Sequence, residues 1–273
     1  MKKEDLDYYE RLARKVRKKL IESAEQCNGE GYWGGYLSCI EILTIIMGKN
    51  KSIFDKNLGF SEKDKFYLSK GHSAKAFYTF QYCLGVIDDE IYSSFGQKGS
   101  PMSVLGEYCP EYNILHSGGS LGLGLPVAVG VALLAKRRNY DYTVYVLVGD
   151  GEFNEGSNWE AVMTAAKYHL DNLCCIIDNN RYQSDGACDD IMPWGDIKRK
   201  IEAFGGHAEE VDGHSCADLY ETIFLSNCCG KPRFIVANTI KGKGVSFMEG
   251  NNAWHHTRLV GKDYDKALSE VIC

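Results

Sequence analysis

Two stretches of the sequence decide the fold: Thr143-Val144-Tyr145-Val146-Leu147-Val148-Gly149-Asp150-Gly151 and Leu173-Cys174-Cys175-Ile176-Ile177-Asp178-Asn179-Asn180. Each begins with a short apolar run, which indicates a buried strand. Between them, apolar residues recur at spacings of three and four, which predicts a helix over 158–169. A strand, a helix and a second strand form a right-handed crossover, so the two strands are predicted to be parallel neighbours.

The polar residues that follow these two strands predict a ligand site. Asp150 and Asn180 are expected side by side at the carboxyl edge of the sheet, where open α/β sheets bind ligands. Gly149 and Gly151 allow a bulky anion to approach the backbone. A carboxylate with a carboxamide suits a hard cation such as Mg²⁺, which commonly holds a diphosphate. Singly, a Gly-Asp-Gly turn and an Asn-Asn strand end are common loop features, so their joint placement carries the functional interpretation.

The rest of the chain continues the alternation of strands and helices. The patterns predict helices over 6–26, 38–47, 71–83, 121–138 and 217–228, strands over 65–69, 208–211 and 233–239, and loops over 88–116 and 181–193. This order predicts an α/β fold with a doubly wound parallel sheet and helices on both faces. Because the sequence contains no repeat and no convincing linker, residues 1–273 are expected to form a single domain.

Composition excludes several classes of protein. The 273 residues are 44% hydrophobic and 25% charged with a net charge of −6, which argues against nucleic acid as a partner. No run of 18 apolar residues occurs and no apolar segment follows the N-terminus, so no membrane association is expected. The 11 cysteines lack CxxC spacing, which indicates reduced thiols in a cytoplasmic protein.

Six segments resemble the N-terminal half of a transketolase, the diphosphate-binding domain of a thiamine diphosphate enzyme. They lie at 34–38, 68–73, 118–124, 149–156, 178–180 and 241–249. The Gly-Asp-Gly to Asn pattern is shared by many thiamine diphosphate enzymes. The segments Leu68-Ser69-Lys70-Gly71-His72 and Lys241-Gly242-Lys243-Gly244-Val245-Ser246-Phe247 are far more specific to transketolases. The resemblance implies the thiamine diphosphate-binding fold.

The resemblance also implies a role for individual residues. Asp150, Asn180 and the backbone carbonyl of Tyr182 would bind Mg²⁺, Ca²⁺ or Mn²⁺. The cofactor would contact His72, Gly119, Leu121, Gly149, Gly151 and Glu152 as well as the metal ligands. His72, His255 and Glu155 would be catalytic, with Glu155 as the family's interface acid. From the residues alone, His72 could instead cap a helix, and His255 with His256 could be a surface pair.

The implied activity is the transfer of a two-carbon ketol unit between sugars or sugar phosphates. The family's cofactor-activating glutamate belongs to a pyrimidine-binding domain, which follows this domain in full-length transketolases. The present sequence ends at Cys273. We therefore expect a split enzyme that is active only with a separate C-terminal subunit, as a heterotetramer.

Two departures from the family pattern predict an altered substrate. Tyr32-Trp33 stands where the family has His-Pro, and Gly106 or Glu107 occupies the region of a second family histidine. Because sites built for particular hydroxyls reject analogues without them, loss of both histidines changes specificity. Two alternatives remain open: a 2-oxo acid decarboxylase or carboligase on the same scaffold, and a non-catalytic subunit that only binds cofactor.

Overall fold

The computed structural model describes residues 2–226 and 230–272. The strands in these residues are β1 (Glu30–Gly31), β2 (Lys65–Leu68), β3 (Val144–Gly149), β4 (Leu173–Asn179), β5 (His207–Asp212), β6 (Arg233–Asn238) and β7 (Thr257–Arg258). The helices are α1 (Lys3–Glu22), α2 (Trp33–Ser38), α3 (Ile40–Lys49), α4 (Ala74–Cys83), α5 (Asp89–Ser93), α6 (Gly124–Arg138), α7 (Asp150–Phe153), α8 (Gly156–Lys167), α9 (Cys188–Ile191), α10 (Ile197–Ala203), α11 (Cys216–Phe224) and α12 (Gly261–Val271).

A five-stranded sheet in the order β2-β3-β4-β6-β5 forms the centre of the fold. Every neighbouring pair in it is parallel. β3 and β4 are neighbours, with Gly149 opposite Asp178. The predicted crossover through α8 is therefore confirmed, and the residues that follow both strands meet at one edge of the sheet.

Helices cover both faces of this sheet, as the doubly wound prediction requires. Successive side chains of a strand point to opposite faces. Tyr145 and Leu147 accordingly join a core that includes residues of α1, α3, α4 and α11. Val146 and Val148 join the other core, with residues of α6, α8 and α10. Burial on both sides explains why these strands are continuous apolar runs without alternation.

Some helix boundaries differ from the prediction for identifiable reasons. The helix predicted from residue 121 begins at Gly124, because Gly122 has a left-handed φ of 78° that no right-handed helix accepts. The first helix ends at Glu22 and continues as a 3₁₀ turn to Cys27. The helix predicted over 217–228 spans Cys216–Phe224, and the end predicted at residue 228 lies outside the described residues.

A second, two-stranded sheet was not predicted. β1 and β7 pair in an antiparallel manner, with Glu30 opposite Arg258 and Gly31 opposite Thr257. Two-residue strands are too short to produce a pattern in the sequence. The pairing has a functional consequence, because it brings His255 and His256 beside Tyr32, with ring centroids 5.8 and 4.5 Å apart respectively.

Candidate active site

A cleft of about 570 Å³ opens at the carboxyl edge of β3 and β4. Ten of the eleven site residues expected from the sequence line it: His72, Leu121, Gly149, Asp150, Gly151, Glu152, Glu155, Asn180, Tyr182 and His255. The eleventh, Gly119, does not line this cleft; it lines a separate pocket of about 700 Å³ formed mainly by the loop over residues 96–107. The structure thus brings together residues that are up to 183 positions apart in the chain, from His72 to His255.

Asp150 is a buried carboxylate at the floor of the cleft, 3% exposed. Its oxygens accept hydrogen bonds from the backbone N–H of Gly151, at 2.8 Å, and of Arg181. Burial, with the nearby charge of Asp178, raises the pKa of Asp150 to about 7. A divalent cation beside this carboxylate would favour its charged form and offset the burial, so the residue fits a metal ligand.

The other two expected metal ligands are neutral oxygens. The Oδ1 atom of Asn180 accepts a hydrogen bond from the backbone N–H of Tyr182 at 3.1 Å. Between them, Arg181 has a left-handed φ of 67°, which turns the chain sharply after β4. Among the described residues, no three His, Cys, Asp or Glu side chains are grouped to hold a metal. A cation here would therefore depend on one carboxylate, neutral oxygens and the oxygens of its ligand.

Glu152 organises the loops around the cleft. Its Oε1 accepts hydrogen bonds from the Ser69 hydroxyl and from the Gly122 N–H, the latter at 3.1 Å. Its Oε2 accepts from the Gly149 N–H at 3.0 Å. Because both carboxylate oxygens accept hydrogen bonds, Glu152 links the ends of β2 and β3 to the glycine-rich segment over 118–124. Its geometry is that of a positioning residue.

His72 reaches the cleft because the chain around Gly71 is tightly packed. A Cβ atom at Gly71 would lie 2.7 Å from the carbonyl oxygen of Leu105, so only glycine allows this approach. The His72 ring then lies 4.6 Å from the Tyr32 ring and 5.8 Å from the His255 ring, centroid to centroid. Because His255 lies in the cleft beside His72, the structure does not support the alternative in which His255 and His256 form an isolated surface pair.

Both cleft histidines are neutral near pH 7. Burial and the charge of Lys70 lower the pKa of His72 to about 4. Burial and the charge of Lys241 lower the pKa of His255 to about 3. The ammonium of Lys241 donates to Nδ1 of His255 at 2.9 Å, which leaves the proton of the neutral ring on Nε2. The two imidazoles can therefore exchange hydrogen bonds with uncharged hydroxyl groups.

Two lysines of the cleft were given no role from the sequence. Lys70 forms a buried ion pair with Asp178 and donates to the Gly35 carbonyl at 3.1 Å. Burial alone would lower the pKa of Lys70, but the Asp178 carboxylate outweighs burial and raises it. Asp178 also accepts from Ser38 and Thr239, so the pair ties four segments together beneath the cleft.

Lys241 is the second lysine, 1% exposed, and its Nζ also donates to Asn252 at 2.6 Å. Burial and the charge of Lys70 lower its pKa to about 8, so it remains mostly protonated at pH 7. Both lysines lie inside segments that the sequence singled out. The sequence did contain a signal for these lysines, a charged side chain shortly after an apolar strand. A charge buried at the end of a strand needs an ion-pair or hydrogen-bond partner, which marks such a residue for attention.

The cleft therefore combines features that suit a cation-bound diphosphate and a ring system. Lys70 and Lys241 supply positive charge, and Asp150 supplies a ligand for a cation. Gly149 and Gly151 line the cleft and carry no side chain that would keep a ligand away from their backbone. Leu121, Ile191 and Met192 add an apolar wall.

A family model described as "Transketolase, thiamine diphosphate binding domain" matches residues 9–270 of the chain. The chain belongs to the transketolase family. The resemblance expected from the six sequence segments is thus confirmed, and with it the family's class of enzyme, the transferases.

Relatives of similar length are named as single subunits of transketolases. The chain is 36% identical over 272 residues to an apulose-4-phosphate transketolase subunit of Actinobacillus succinogenes, covering 97% of this chain and 96% of that one. It is 34% identical over 257 residues to the 6-deoxy-6-sulfo-D-fructose transketolase subunit SqwG of a Clostridium species, with 94% and 93% covered.

Complete transketolases match over less of their own length. The human transketolase is 34% identical over 248 residues, which are 89% of this chain and 38% of that enzyme. The crystal structure of transketolase from Campylobacter jejuni superposes with a TM-score of 0.87 at 25% identity, covering 99% of this chain and 43% of that one. The predicted fold class is confirmed by this superposition. Within residues 2–226 and 230–272, none of the helices combines the length and apolar character that a bilayer crossing requires.

Proposed function

We propose that this chain is the diphosphate-binding subunit of a two-subunit transketolase that moves a two-carbon ketol unit between sugar phosphates. The observation that carries the proposal is the cleft itself, in which the buried carboxylate of Asp150 and the ammonium of Lys241 converge with two neutral histidines. Thiamine diphosphate, when bound, supplies the carbanion chemistry of ketol transfer. The residues of this chain bind it, orient it and handle the protons of the sugar.

Binding of the diphosphate end is assigned to the floor of the cleft. Asp150, Asn180 and the carbonyl of Tyr182 hold a divalent cation, Mg²⁺ in the first instance. The ammonium of Lys241 and the backbone at Gly149 and Gly151 face the diphosphate. Such an arrangement resembles other protein sites where Mg²⁺ joins phosphate oxygens to one or two carboxylates.

Handling of the sugar is assigned to the histidines. The Nε2–H of His255 donates to a sugar oxygen, and a neutral His72 can accept a hydrogen bond from a sugar hydroxyl. Tyr32 stands over both rings, where its phenol replaces a family histidine. Because a phenol and an imidazole present different donors at different reach, we propose that the sugar specificity differs from that of complete transketolases.

Activation of the cofactor is assigned to a second chain. Several relatives of this length are named as one subunit of a transketolase, and that wording supports a separate partner that supplies the pyrimidine-binding domain. Glu155 is exposed at the rim of the cleft, and Leu123 just before α6, Val127 of α6 and Met163 of α8 are exposed apolar side chains. Exposed apolar side chains of this kind suit contact with a partner. Pairing of two such heterodimers would give the heterotetramer.

A thermal-shift titration with thiamine diphosphate and Mg²⁺ tests the binding site. At 100 times the dissociation constant, a ligand stabilises its protein by about 2.7 kcal/mol, which for this size raises Tm by roughly 5–11 °C. Asp150→Ala should abolish the rise. Asp189→Ala, an exposed carboxylate outside the cleft, is the matched control and should retain it. No shift in the wild-type chain, alone or with its partner, would argue for a subunit that does not bind the cofactor.

Carbon dioxide release separates ketol transfer from the alternative chemistry. A transketolase-type subunit, once assembled with its partner, should transfer a two-carbon unit from a ketose phosphate and release no CO₂ from pyruvate. Steady CO₂ release without ketol transfer would instead favour the 2-oxo acid decarboxylase.

A further inference from the structure

Residues 239–244 place the side chain of Lys241 in the cleft, and the backbone of this segment forms hydrogen bonds with side chains that do not line the cleft. The segment follows β6, and two of these side chains are distant from it in sequence. The N–H of Ile240 donates to Nε2 of His214 at 2.8 Å. The carbonyl of Lys243 accepts from Nε of Arg17 at 3.2 Å. Lys241 lies between these two anchors.

Both anchors meet at one buried carboxylate, Glu41 of α3, which is 7% exposed. Its Oε1 pairs with Nη2 of Arg17, and its Oε2 lies 3.1 Å from Nδ1 of His214. Burial would raise the pKa of Glu41, but the hydrogen bond from His214 and the charge of Arg17 outweigh it and lower that pKa. Each oxygen of Glu41 thus fixes one of the two groups that hold the segment.

The hydrogen bonds define the state of His214. Because the Ile240 amide can only donate, Nε2 of His214 must be the accepting nitrogen. The ring proton therefore resides on Nδ1 and is donated to Glu41. Arg17 is equally constrained, since Gly244 has a left-handed φ of 91° and a Cβ there would lie 2.6 Å from the Cδ atom of Arg17. Arg17 is thus closely packed against Gly244, at the end of the segment.

We propose that Glu41, through Arg17 and His214, is a positioning residue that sets where Lys241 stands in the cleft. The proposal rests on the proposed function only for its consequence, the binding of thiamine diphosphate; the positioning itself is a property of the folded chain. Glu41 touches neither the cleft nor Lys241. Its effect reaches the site through two hydrogen bonds to the backbone on either side of that lysine.

Two substitutions disturb the cluster without removing its volume. In Glu41→Gln, the amide cannot accept from both Arg17 and His214, so one anchor is lost. In Arg17→Lys, the charge is kept but the planar group is lost in which Nε binds the Lys243 carbonyl and Nη2 binds Glu41, so the two contacts are no longer held in one rigid geometry. The matched control is Glu209→Gln, which alters a second glutamate–histidine pair, with His207 Nε2 and Glu209 Oε1 3.0 Å apart. A core variant chosen to lower Tm by the same amount as Glu41→Gln controls for loss of stability.

Three readouts on the full chain decide the matter. Hydrogen exchange at the Ile240 amide and its neighbours should accelerate at least tenfold in Glu41→Gln and in Arg17→Lys, relative to amides of β3. Acylation of Lys241 by acetic anhydride should accelerate by a similar factor, while acylation of Lys70 does not change. The dissociation constant for thiamine diphosphate with Mg²⁺ should rise at least fivefold. Glu209→Gln and the core variant should show none of these local changes.

The outcomes separate the two proposals. If exchange over 239–244 is unchanged, or rises only in step with the whole molecule, Glu41 is merely structural and the positioning proposal is overturned. Faster local exchange with unchanged affinity for the cofactor also overturns it. If the wild-type chain binds no cofactor with its partner present, the proposed function fails, and the exchange and acylation results alone decide the positioning proposal.

Discussion

Replacing Gly149 by alanine should affect the stability of the ligand-free chain and its affinity for a diphosphate in opposite directions. Gly149 has φ −89° and ψ 156°, an extended conformation that alanine adopts without strain. The added methyl would lie 3.7 Å from the nearest atoms of Lys70 and 3.8 Å from Cβ of Glu152, ordinary van der Waals distances. Removing a glycine from the unfolded chain stabilises a protein by about 0.4–1 kcal/mol. The ligand-free Tm should therefore stay level or rise by roughly 1–4 °C.

The bound state should respond in the opposite direction. Gly149 lines the cleft, so we expect the same methyl to narrow the space that we assign to the diphosphate. An overpacked contact costs about 1–3 kcal/mol, which weakens binding roughly 5- to 150-fold. Gly151→Ala provides the contrast, because its methyl would lie 2.6 Å from Cβ of Gln183 and should destabilise the chain itself by about 1–3 kcal/mol.

Thermal unfolding without ligand and calorimetric titration with thiamine diphosphate and Mg²⁺ measure the two effects on the same samples. The reasoning is refuted if Gly149→Ala binds the cofactor as tightly as the wild-type chain. It is equally refuted if Gly149→Ala unfolds several degrees earlier without ligand, because the space around the residue would then be misjudged.

Three further predictions follow from the same geometry. Asp178→Asn leaves the buried ammonium of Lys70 without its counter-ion and should lower the free energy of unfolding by about 3–5 kcal/mol in urea titrations. The double variant with Lys70→Met should recover part of this loss. A loss below about 1 kcal/mol contradicts the buried pair. The pKa values of His72 and His255, about 4 and about 3 in the folded chain, lie below the unfolded value of 6.5. As the pH falls, the unfolded chain therefore takes up protons before the folded chain does. The contribution of the two histidines to stability is fully present above pH 6.5 and should fall as the pH drops towards 4, by as much as about 1.4 kcal/mol per pH unit for each ring. The variant with both histidines replaced by glutamine should lack this decline. Tyr32→His should shift the ratio of kcat/KM between donor sugars towards pentose phosphates in the assembled enzyme, and an unchanged ratio would remove Tyr32 from the specificity argument.

The central sheet was predictable from the sequence because its strands are buried on both faces. Runs such as 143–148 and 173–178 contain almost no polar residue, and their order along the chain fixes the parallel pairing. The ligand edge followed from the same reasoning, since Asp150 and Asn180 come directly after those strands. Helix ends were less accurate, because single residues such as Gly122 decide them.

The polar network beneath the cleft was not predictable in detail. The Lys70–Asp178 pair joins residues 108 positions apart, and the sequence around either residue does not indicate which residue it pairs with. The link from Glu41 to His214 spans 173 positions, and it depends on the packing of α11, which follows His214, against α3. The placement of His255 required the β1–β7 pairing, which is too short to leave a periodic pattern. Long-range contacts between polar side chains become visible only after the strands and helices have been assembled.

Reconstitution with a separate pyrimidine-binding subunit tests the central claim most directly. The measurement is the formation of aldose and elongated ketose phosphates from a panel of ketose phosphate donors, in the presence of thiamine diphosphate and Mg²⁺. We predict no turnover by this chain alone, turnover after mixing, and loss of that turnover in Asp150→Ala. Robust ketol transfer by this chain without a partner, or none in a correctly assembled complex, would contradict the account.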